Sequence, residues 1–329
     1  VILVTGGTGF LGSTLIRQLV DAGHRVRATK RASSTIPETL SALGSAIEWV
    51  DADITDYFAL SDASLGVSEL YHCAAMVSYR AADKAAMMRT NVEGTAHIVN
   101  IALEQGIRLL HVSSITALGD PKPGQDTTEE DWWEYDPLKS GYSIAKYAAE
   151  MEVWRGVAEG LDAVIVNPSL IIGPAAGNKG SGSVFWLVHR GLKFYATGSV
   201  GLVDVEDVAK AMVMLMADRS ISGERFIVSH ENKTHQALLT EYSRLIDRPP
   251  PRMKATPAML GLARRGAWVA SLFSGKPPLL TKESVRATCR KLRFSNRKLK
   301  AAIGLEFTPL EHTLRAISLA LTLKENKRG

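Results

Sequence analysis

The first half of the chain alternates between two hydrophobic patterns. Val1–Val4, His24–Thr29, Ile47–Val50, Glu69–Ala75 and Leu109–Ser114 are short runs rich in apolar or β-branched residues, and they predict strands. The first run, Val1 to Val4, has no polar position. That uniformity predicts a central parallel strand covered by helices on both faces. Between the strands lie stretches with helical spacing, Phe10–Val20, about 82–105, and one that carries Tyr142 and Lys146. Farther on, Asp204–Ala217 predicts a helix, Glu224–Ser229 a short strand, and Arg248-Pro-Pro-Pro251 a break between segments. Pro257–Phe273 reads as an amphipathic helix with Arg264 and Arg265 on its polar side, expected to pack on the second half of the chain.

The junction of the first strand and helix adds chemistry to this pattern. Thr5-Gly6-Gly7-Thr8-Gly9 is a glycine turn that leads directly into Phe10-Leu11-Gly12. Gly6 permits the tight turn, Gly9 lets backbone approach a pyrophosphate, and Gly12 lets the helix lie close to the sheet. The free N–H groups at the helix start, around Phe10 and Leu11, then face the phosphates. The fold expected is α/β, a doubly wound parallel Rossmann sheet with a smaller discontinuous substrate lobe. Residues 1–167 would form the nucleotide domain, with a return segment at about 201–222; 168–200 and 223–329 would form the lobe.

The second strand ends in Lys30-Arg31, with no carboxylate before Glu38. A carboxylate there would hold a ribose hydroxyl, whereas a guanidinium grips a 2′-phosphate. NADP(H) is therefore preferred over NAD(H). Asp53 can accept from the adenine amino group with Ile54 packed on the ring, while Asp56 caps the next helix. Cys73 reads as a space-filler, since no basic neighbour activates it. The small Ala74 and Ala75 leave room for the nicotinamide half. Asn91, inside a helical stretch, is expected to hydrogen-bond across to another segment.

Tyr142 and Lys146 stand at i and i+4 on one helical face. An ammonium beside a phenol lowers the phenol pKa, so the pair can exchange a proton with a carbonyl or alcohol near neutral pH. A serine at the end of the fifth strand, Ser113 or Ser114, can hydrogen-bond the same substrate oxygen.

Composition narrows the class of protein. The 329 residues are 46% hydrophobic and 22% charged, ordinary for a globular chain, without an apolar run long enough to span a membrane. Two distant cysteines and no leader pattern point to a reducing cytoplasm. The net charge of +5 is uneven: residues 1–247 hold 21 Lys and Arg against 30 Asp and Glu, and residues 248–329 hold 18 against 4. The basic block at 286–300 is read as a solvated helix face, so no nucleic-acid partner is expected and peripheral membrane contact is disfavoured. The eight histidines show no metal-ligand spacing.

Taken together, the chain resembles an extended short-chain dehydrogenase/reductase, in the branch that contains dihydroflavonol reductases, 3β-hydroxysteroid dehydrogenases and nucleotide-sugar epimerases. The matching residues are Thr5–Gly12, Asp53-Ile54, Cys73-Ala74-Ala75, Asn91, Ser113-Ser114, Tyr142–Lys146, Asn167–Pro174 and the Val-Asp204-Val-Glu-Asp207-Val segment. The resemblance implies a catalytic set of Ser114, Tyr142 and Lys146, with Ser113 and Thr116 as alternatives to Ser114. Tyr142 would pass the proton, Lys146 would lower its pKa and bind the nicotinamide ribose, and Ser114 would orient the substrate oxygen. Pro168 and Ser169 would flank the nicotinamide, and Arg31 would meet the 2′-phosphate. Pairing through helices like those at 82–105 and 142–158 makes a homodimer the family expectation.

Departures from the family pattern narrow the reaction. Ile115-Thr116 follows the serines where dehydratases carry acids. Ala175-Ala176 and Thr197–Val200 stand where nucleotide-sugar enzymes place guanidinium or amide groups, and Leu118-Gly119 replaces the asparagine of flavonoid reductases. The expected activity is an NADP(H)-dependent interconversion of a ketone or aldehyde and an alcohol on a mostly apolar small molecule. A nucleotide-sugar epimerase is the first alternative. An NADP(H)-sensing protein with a basic interaction surface is the second. Met76, Val77, Tyr79, Trp186 and Tyr195 are candidate substrate residues. Trp132 and Trp133, in the long Asp120–Ser140 loop, either cover the substrate or pin the loop.

Overall fold

The computed structural model describes residues 1–134, 136, 139–177, 180–256, 258–263, 265–266 and 282–326. Most of the helix expected over 257–273, Arg264 included, lies outside the described residues. The strands are β1 (Ile2–Thr5), β2 (Val26–Lys30), β3 (Ile47–Asp51), β4 (Glu69–His72), β5 (Arg108–Val112) and β6 (Ala163–Pro168). They continue with β7 (Leu170–Ile172), β8 (Phe194–Tyr195), β9 (Ser199–Asp204), β10 (Glu224–Val228), β11 (Glu231–Thr234) and β12 (Met253–Lys254).

A seven-stranded sheet runs β10-β6-β5-β4-β1-β2-β3, with every neighbouring pair parallel. This is the expected doubly wound Rossmann sheet, and all four residues of β1 are buried, as a strand without a wet face requires. One face is covered by α1 (Phe10–Asp21), whose Leu15, Ile16 and Leu19 pack with Val208, Met212 and Leu215. The short α2 (Glu38–Ser41) adds Leu40 to the same core. The other face is covered by α3 (Tyr57–Ala63) and by the helical stretch after β4.

That stretch is not one continuous helix. A 3₁₀ turn at Ala81–Asp83 leads into α4 (Lys84–Met87), a π-turn at Met88–Glu93 and α5 (Gly94–Gln105). Asn91 sits in the π-turn, and its side chain holds the Met76 backbone at both ends, accepting from N at 2.7 Å and donating to O at 2.9 Å. The unfavourable helix residue thus fixes the loop after β4, as its propensity suggested. The following α6 (Gly141–Ala158) begins at Ser140, whose hydroxyl accepts from Ser143 N at 3.0 Å.

The smaller lobe contains α7 (Ser183–His189), the sheet β11-β9-β7 and the β8·β12 pair. From it α8 (Val205–Ala217) returns to the nucleotide sheet and α9 (His235–Leu245) closes the lobe core of Phe185, Leu239 and Tyr242. The expected boundary at 223 shifts, because β10 pairs with β6 and belongs to the large sheet. The C-terminal part holds α10 (Lys282–Cys289), α11 (Arg297–Ile303) and α12 (Leu310–Asn326). Leu299 of α11 joins the nucleotide-domain core, whereas Leu314 of α12 joins that of the lobe.

The aspartates of the Val-Asp-x-x-Asp-Val segment fasten this end. Asp204 caps α8 through Glu206 N at 2.7 Å and accepts from Thr313 Oγ1 at 2.6 Å. Asp207 accepts from Thr308 N and Oγ1, each at 2.8 Å. Among the described residues no helix is long and apolar enough to cross a membrane.

Candidate active site

The carboxyl ends of β1, β4, β5 and β6 meet at a cavity of about 590 Å³, where an open α/β sheet binds ligands. Its floor is the glycine turn. Gly6 has φ +70°, and a Cβ there would stand 2.7 Å from Ala74 N; one on Gly12 would stand 2.3 Å from Gly6 O. Both positions exclude side chains for reasons inside the protein. Gly9 differs, since an added Cβ would meet only Gly6 O, at 3.1 Å. Packing does not demand glycine there, and the space outside it suits a close-lying pyrophosphate. The N-terminus of α1 has no side-chain cap and no acidic residue in its first turn, which leaves its N–H groups for an anion. With Ser169 Oγ buried and unpartnered at the cavity, the residues present fit a nicotinamide dinucleotide.

A buried polar chain aims the loop that carries Ala74 and Ala75. Thr5 Oγ1 accepts from Ala74 N at 3.3 Å and bonds His72 Nδ1 at 2.7 Å, and His72 Nε2 bonds Thr95 Oγ1 at 3.1 Å. Burial holds the His72 pKa down at about 3, so the ring is neutral and can accept at Nδ1 while donating at Nε2. Burial likewise pushes the Cys73 thiol up to about 12, which leaves it inert, as a space-filler should be.

The residues expected at the adenosine end, Arg31, Asp53 and Ile54, lie outside the lining of the cavity. Lys30 is paired with Asp51 across β2 and β3, whereas Arg31 is exposed. Ile54 is buried against Gly94, where an added Cβ would be 2.7 Å from Ile54 Cγ1. It packs on α5 and keeps 8% of its surface exposed. Asp53 accepts from Thr55 N at 2.9 Å and Thr55 Oγ1 at 2.7 Å. Those bonds, helped by Arg31 and Arg89, hold its carboxyl below the usual range and keep it an ionised acceptor.

Ser114, Tyr142 and Lys146 all line the cavity. Ser114 Oγ accepts from Thr116 N at 3.2 Å and from Thr116 Oγ1 at 3.0 Å, and it lies near enough to Tyr142 to lower that phenol's pKa. Thr116, the weaker alternative, thus supports Ser114. Ser113, the other alternative, is tied to Glu150. Lys146 Nζ donates to Val112 O at 2.7 Å. Burial lowers its pKa to about 8, although Glu150 works in the opposite direction.

The expected lowering of the Tyr142 pKa by Lys146 is not what this geometry produces. Burial raises it well above the ordinary phenol value, the nearby Tyr79 adds to the rise, and the Ser114 bond offsets only part. The Lys146 ammonium rests on a carbonyl, and burial keeps the Tyr142 phenol protonated.

The remaining candidates divide. Tyr79 and Val77 line the cavity, with the Tyr79 ring 5.7 Å from that of Tyr142. Met76, Trp133, Trp186 and Tyr195 do not. Met76 is clamped by Asn91, and Trp186 and Tyr195 pack in the lobe core. Trp133 stacks on Tyr147 at 4.3 Å, and Trp132 lies over the Arg225 guanidinium at 4.2 Å, so both pin the loop.

The sequence reading missed the outer wall. Residues 290–296, read there as part of a helix face, form an extended strap bridged to Thr127, with Thr127 N bonded to Arg293 O at 2.7 Å and Ser295 N to Thr127 O at 2.9 Å. Leu292 and Phe294 line the cavity while Lys291 and Arg293 are exposed. This Lys-Leu-Arg-Phe alternation is a period-two signal visible in the sequence. The basic residues pair with the loop: Arg290 with Asp120 at 2.5 Å and Arg293 with Asp126 at 2.9 Å. Arg290 also lines the cavity, so the expectation of a pocket without a guanidinium does not hold.

Comparison with known proteins agrees with this geometry. The sequence model of the NAD dependent epimerase/dehydratase family matches residues 2–229. A protein of Synechocystis sp. provisionally named dihydroflavonol 4-reductase is 32% identical, covering 94% of this chain and 91% of its own. Cinnamoyl-CoA reductase 1 of Petunia hybrida is 29% identical over 95% of this chain and 90% of its own. The crystal structure of gox2253 superimposes with a TM-score of 0.84 at 28% identity, covering 99% of both chains.

Proposed function

Because the chain belongs to the NAD-dependent epimerase/dehydratase family, we propose that this nicotinamide-dependent oxidoreductase is an NADP(H)-dependent reductase of a ketone or aldehyde on a mostly apolar small molecule. One observation carries the reading: a buried phenol, Tyr142, stands with Ser114 at the wall of a cavity lined by Tyr79, Leu118, Leu292 and Phe294. The names of the two reductase relatives point the same way.

The glycine turn and the start of α1 would hold the pyrophosphate, Arg31 a 2′-phosphate, and Pro168 and Ser169 the nicotinamide, which when bound supplies the hydride. Tyr142 donates its proton to the carbonyl oxygen as that oxygen gains charge, and Ser114 orients the same oxygen. Lys146 keeps a positive charge beside the site below about pH 8. In the reverse direction Tyr142 takes the alcohol proton back.

The epimerase reading has one observation in its favour, the Arg290 guanidinium at the cavity. Asp120, bonded to it at 2.5 Å, offsets its charge and would repel a diphosphate. The test is a titration with NADPH and NADH followed by turnover on ketones and aldehydes. NADPH consumed with stoichiometric alcohol formation is expected. Cofactor that stays bound and never turns over would transfer the assignment to the epimerase.

A further inference from the structure

Beneath the cavity lies a charged pair that the proposed mechanism does not use. Glu150 is fully buried on α6, one helical turn after Lys146, and Arg225 of β10 is 3% exposed. Arg225 Nη1 donates to Glu150 Oε1 at 3.0 Å, and Trp154 Nε1 donates to the same oxygen at 3.3 Å. Glu150 Oε2 accepts from Ser113 Oγ and, at 2.8 Å, from Asn167 Nδ2. Arg225 turns its other nitrogens to the Asp120–Ser140 loop, bonding Glu129 O from Nε at 2.9 Å and from Nη2 at 2.6 Å.

Two of the Glu150 partners, Ser113 and Asn167, lead to groups that face the cavity. Ser113 follows Val112, whose carbonyl holds Lys146 Nζ at 2.7 Å. Asn167 Nδ2 also donates to Ser114 O at 3.1 Å, and Asn167 precedes Pro168 and Ser169. One carboxylate therefore joins the end of β5, the end of β6, the proposed catalytic helix and the loop. A pair that only stabilised the fold would have no need of this convergence, and buried ion pairs are weak stabilisers in any case.

We propose that Glu150 is a positioning residue for this site: it sets Ser114 and the Val112 carbonyl against α6, and through that carbonyl holds Lys146 at its post. The inference rests on the reductase reading for its effect on turnover, but its effect on Lys146 can be read without any substrate.

The test compares Glu150→Gln, the double variant Glu150→Gln with Arg225→Met, and Ser113→Ala, beside the parent. The single Gln leaves Arg225 buried and unpaired and is expected to unfold at lower temperature; the double variant removes both charges and recovers much of that loss. Lys146 is titrated by ¹³C NMR of lysine-labelled apo protein, assigned through Lys146→Arg. In Glu150→Gln, which keeps Arg225, its proton affinity is expected to fall by about threefold or more because the negative charge is gone, and in the double variant, which loses both charges, by less. NADPH-dependent reduction of cinnamaldehyde should lose at least about tenfold in kcat with the KM for NADPH little changed. Ser113→Ala should move both readouts the same way by less.

A Glu150→Gln variant that folds and matches the parent in Lys146 titration would overturn the proposal and leave Glu150 a structural anchor. A variant that shows the Lys146 shift while the parent reduces no carbonyl would uphold the positioning role and sink the reductase reading instead.

Discussion

The inner and outer walls of the cavity are held by different forces. On the inner wall, Ser114, Tyr142 and Lys146 stand on strand ends and a helix joined by the buried Glu150–Arg225 pair, with Arg225 further bonded to loop carbonyls. On the outer wall, the strap at 290–296 is held by backbone bonds to Thr127 and from Ser199 N to Arg290 O at 2.9 Å, by side-chain bonds of Ser199, Asn232 and Asn296, and by exposed ion pairs. Groups in a low-dielectric network are costly to misplace, while exposed pairs are screened. The inner wall is therefore suited to fixed chemistry and the outer wall to substrate choice. Substitutions on the two sides should separate into effects on kcat and effects on KM.

The largest expected effect lies on the inner wall. Tyr142→Phe removes the proton donor and keeps the ring against Tyr79, so kcat should fall by about 10²–10⁴-fold with NADPH binding retained. Stopped-flow turnover and a cofactor titration check this, and a loss below about fivefold would deny Tyr142 the role. The parent also offers a pH test. Lys146 is protonated below its lowered pKa and loses its charge above it, so the reduction rate should decline on the alkaline side with a midpoint near 8. A rate that stays flat through pH 9.5 would show that the Lys146 charge does not contribute.

The inner wall was also the more legible from sequence. The glycine turn, the Tyr142–Lys146 spacing and the anomalous Asn91 are local signals, readable from a few adjacent residues. Glu150 was not found because its partners stand far along the chain: Ser113 is 37 positions away and Arg225 75. Nothing in a periodic helix face marks one glutamate as buried. Tyr142 lines the cavity, but its pKa is raised by burial instead of lowered by Lys146, which is committed to Val112 O. The strap was lost for another reason. Its density of positive charge suggested a solvated face, and the alternation of Leu292 and Phe294 with basic neighbours was the weaker signal.

A smaller effect is expected at the cofactor's far end. Arg31→Ala should weaken NADPH by about tenfold, the worth of one charge-assisted contact, and leave NADH unchanged. Equal weakening of both cofactors would place Arg31 away from the 2′-phosphate. On the outer wall, Phe294→Ala removes a side chain buried against Gly201 and grouped with Leu118 and Ile227. It should raise the KM for a carbonyl substrate by about tenfold while kcat changes little, as truncation of one apolar contact does. A fall in kcat as deep as that of Tyr142→Phe would erase the division between the two walls.

The smallest expected effect sharpens the division most. Asp126→Asn breaks the ion pair to Arg293, whose side chain is 69% exposed, while the backbone bonds of Thr127 to Arg293 O and Ser295 N stay in place. An exposed pair contributes about 0.5 kcal/mol or less, and salt screens even that. Thermal unfolding and the KM for substrate should therefore stay close to those of the parent, and raising the ionic strength should change neither protein by much. If Asp126→Asn instead raised KM as far as Phe294→Ala does, the strap would be set by its surface charges. The excess of basic residues after position 248 would then be what positions the outer wall, rather than a consequence of its exposure.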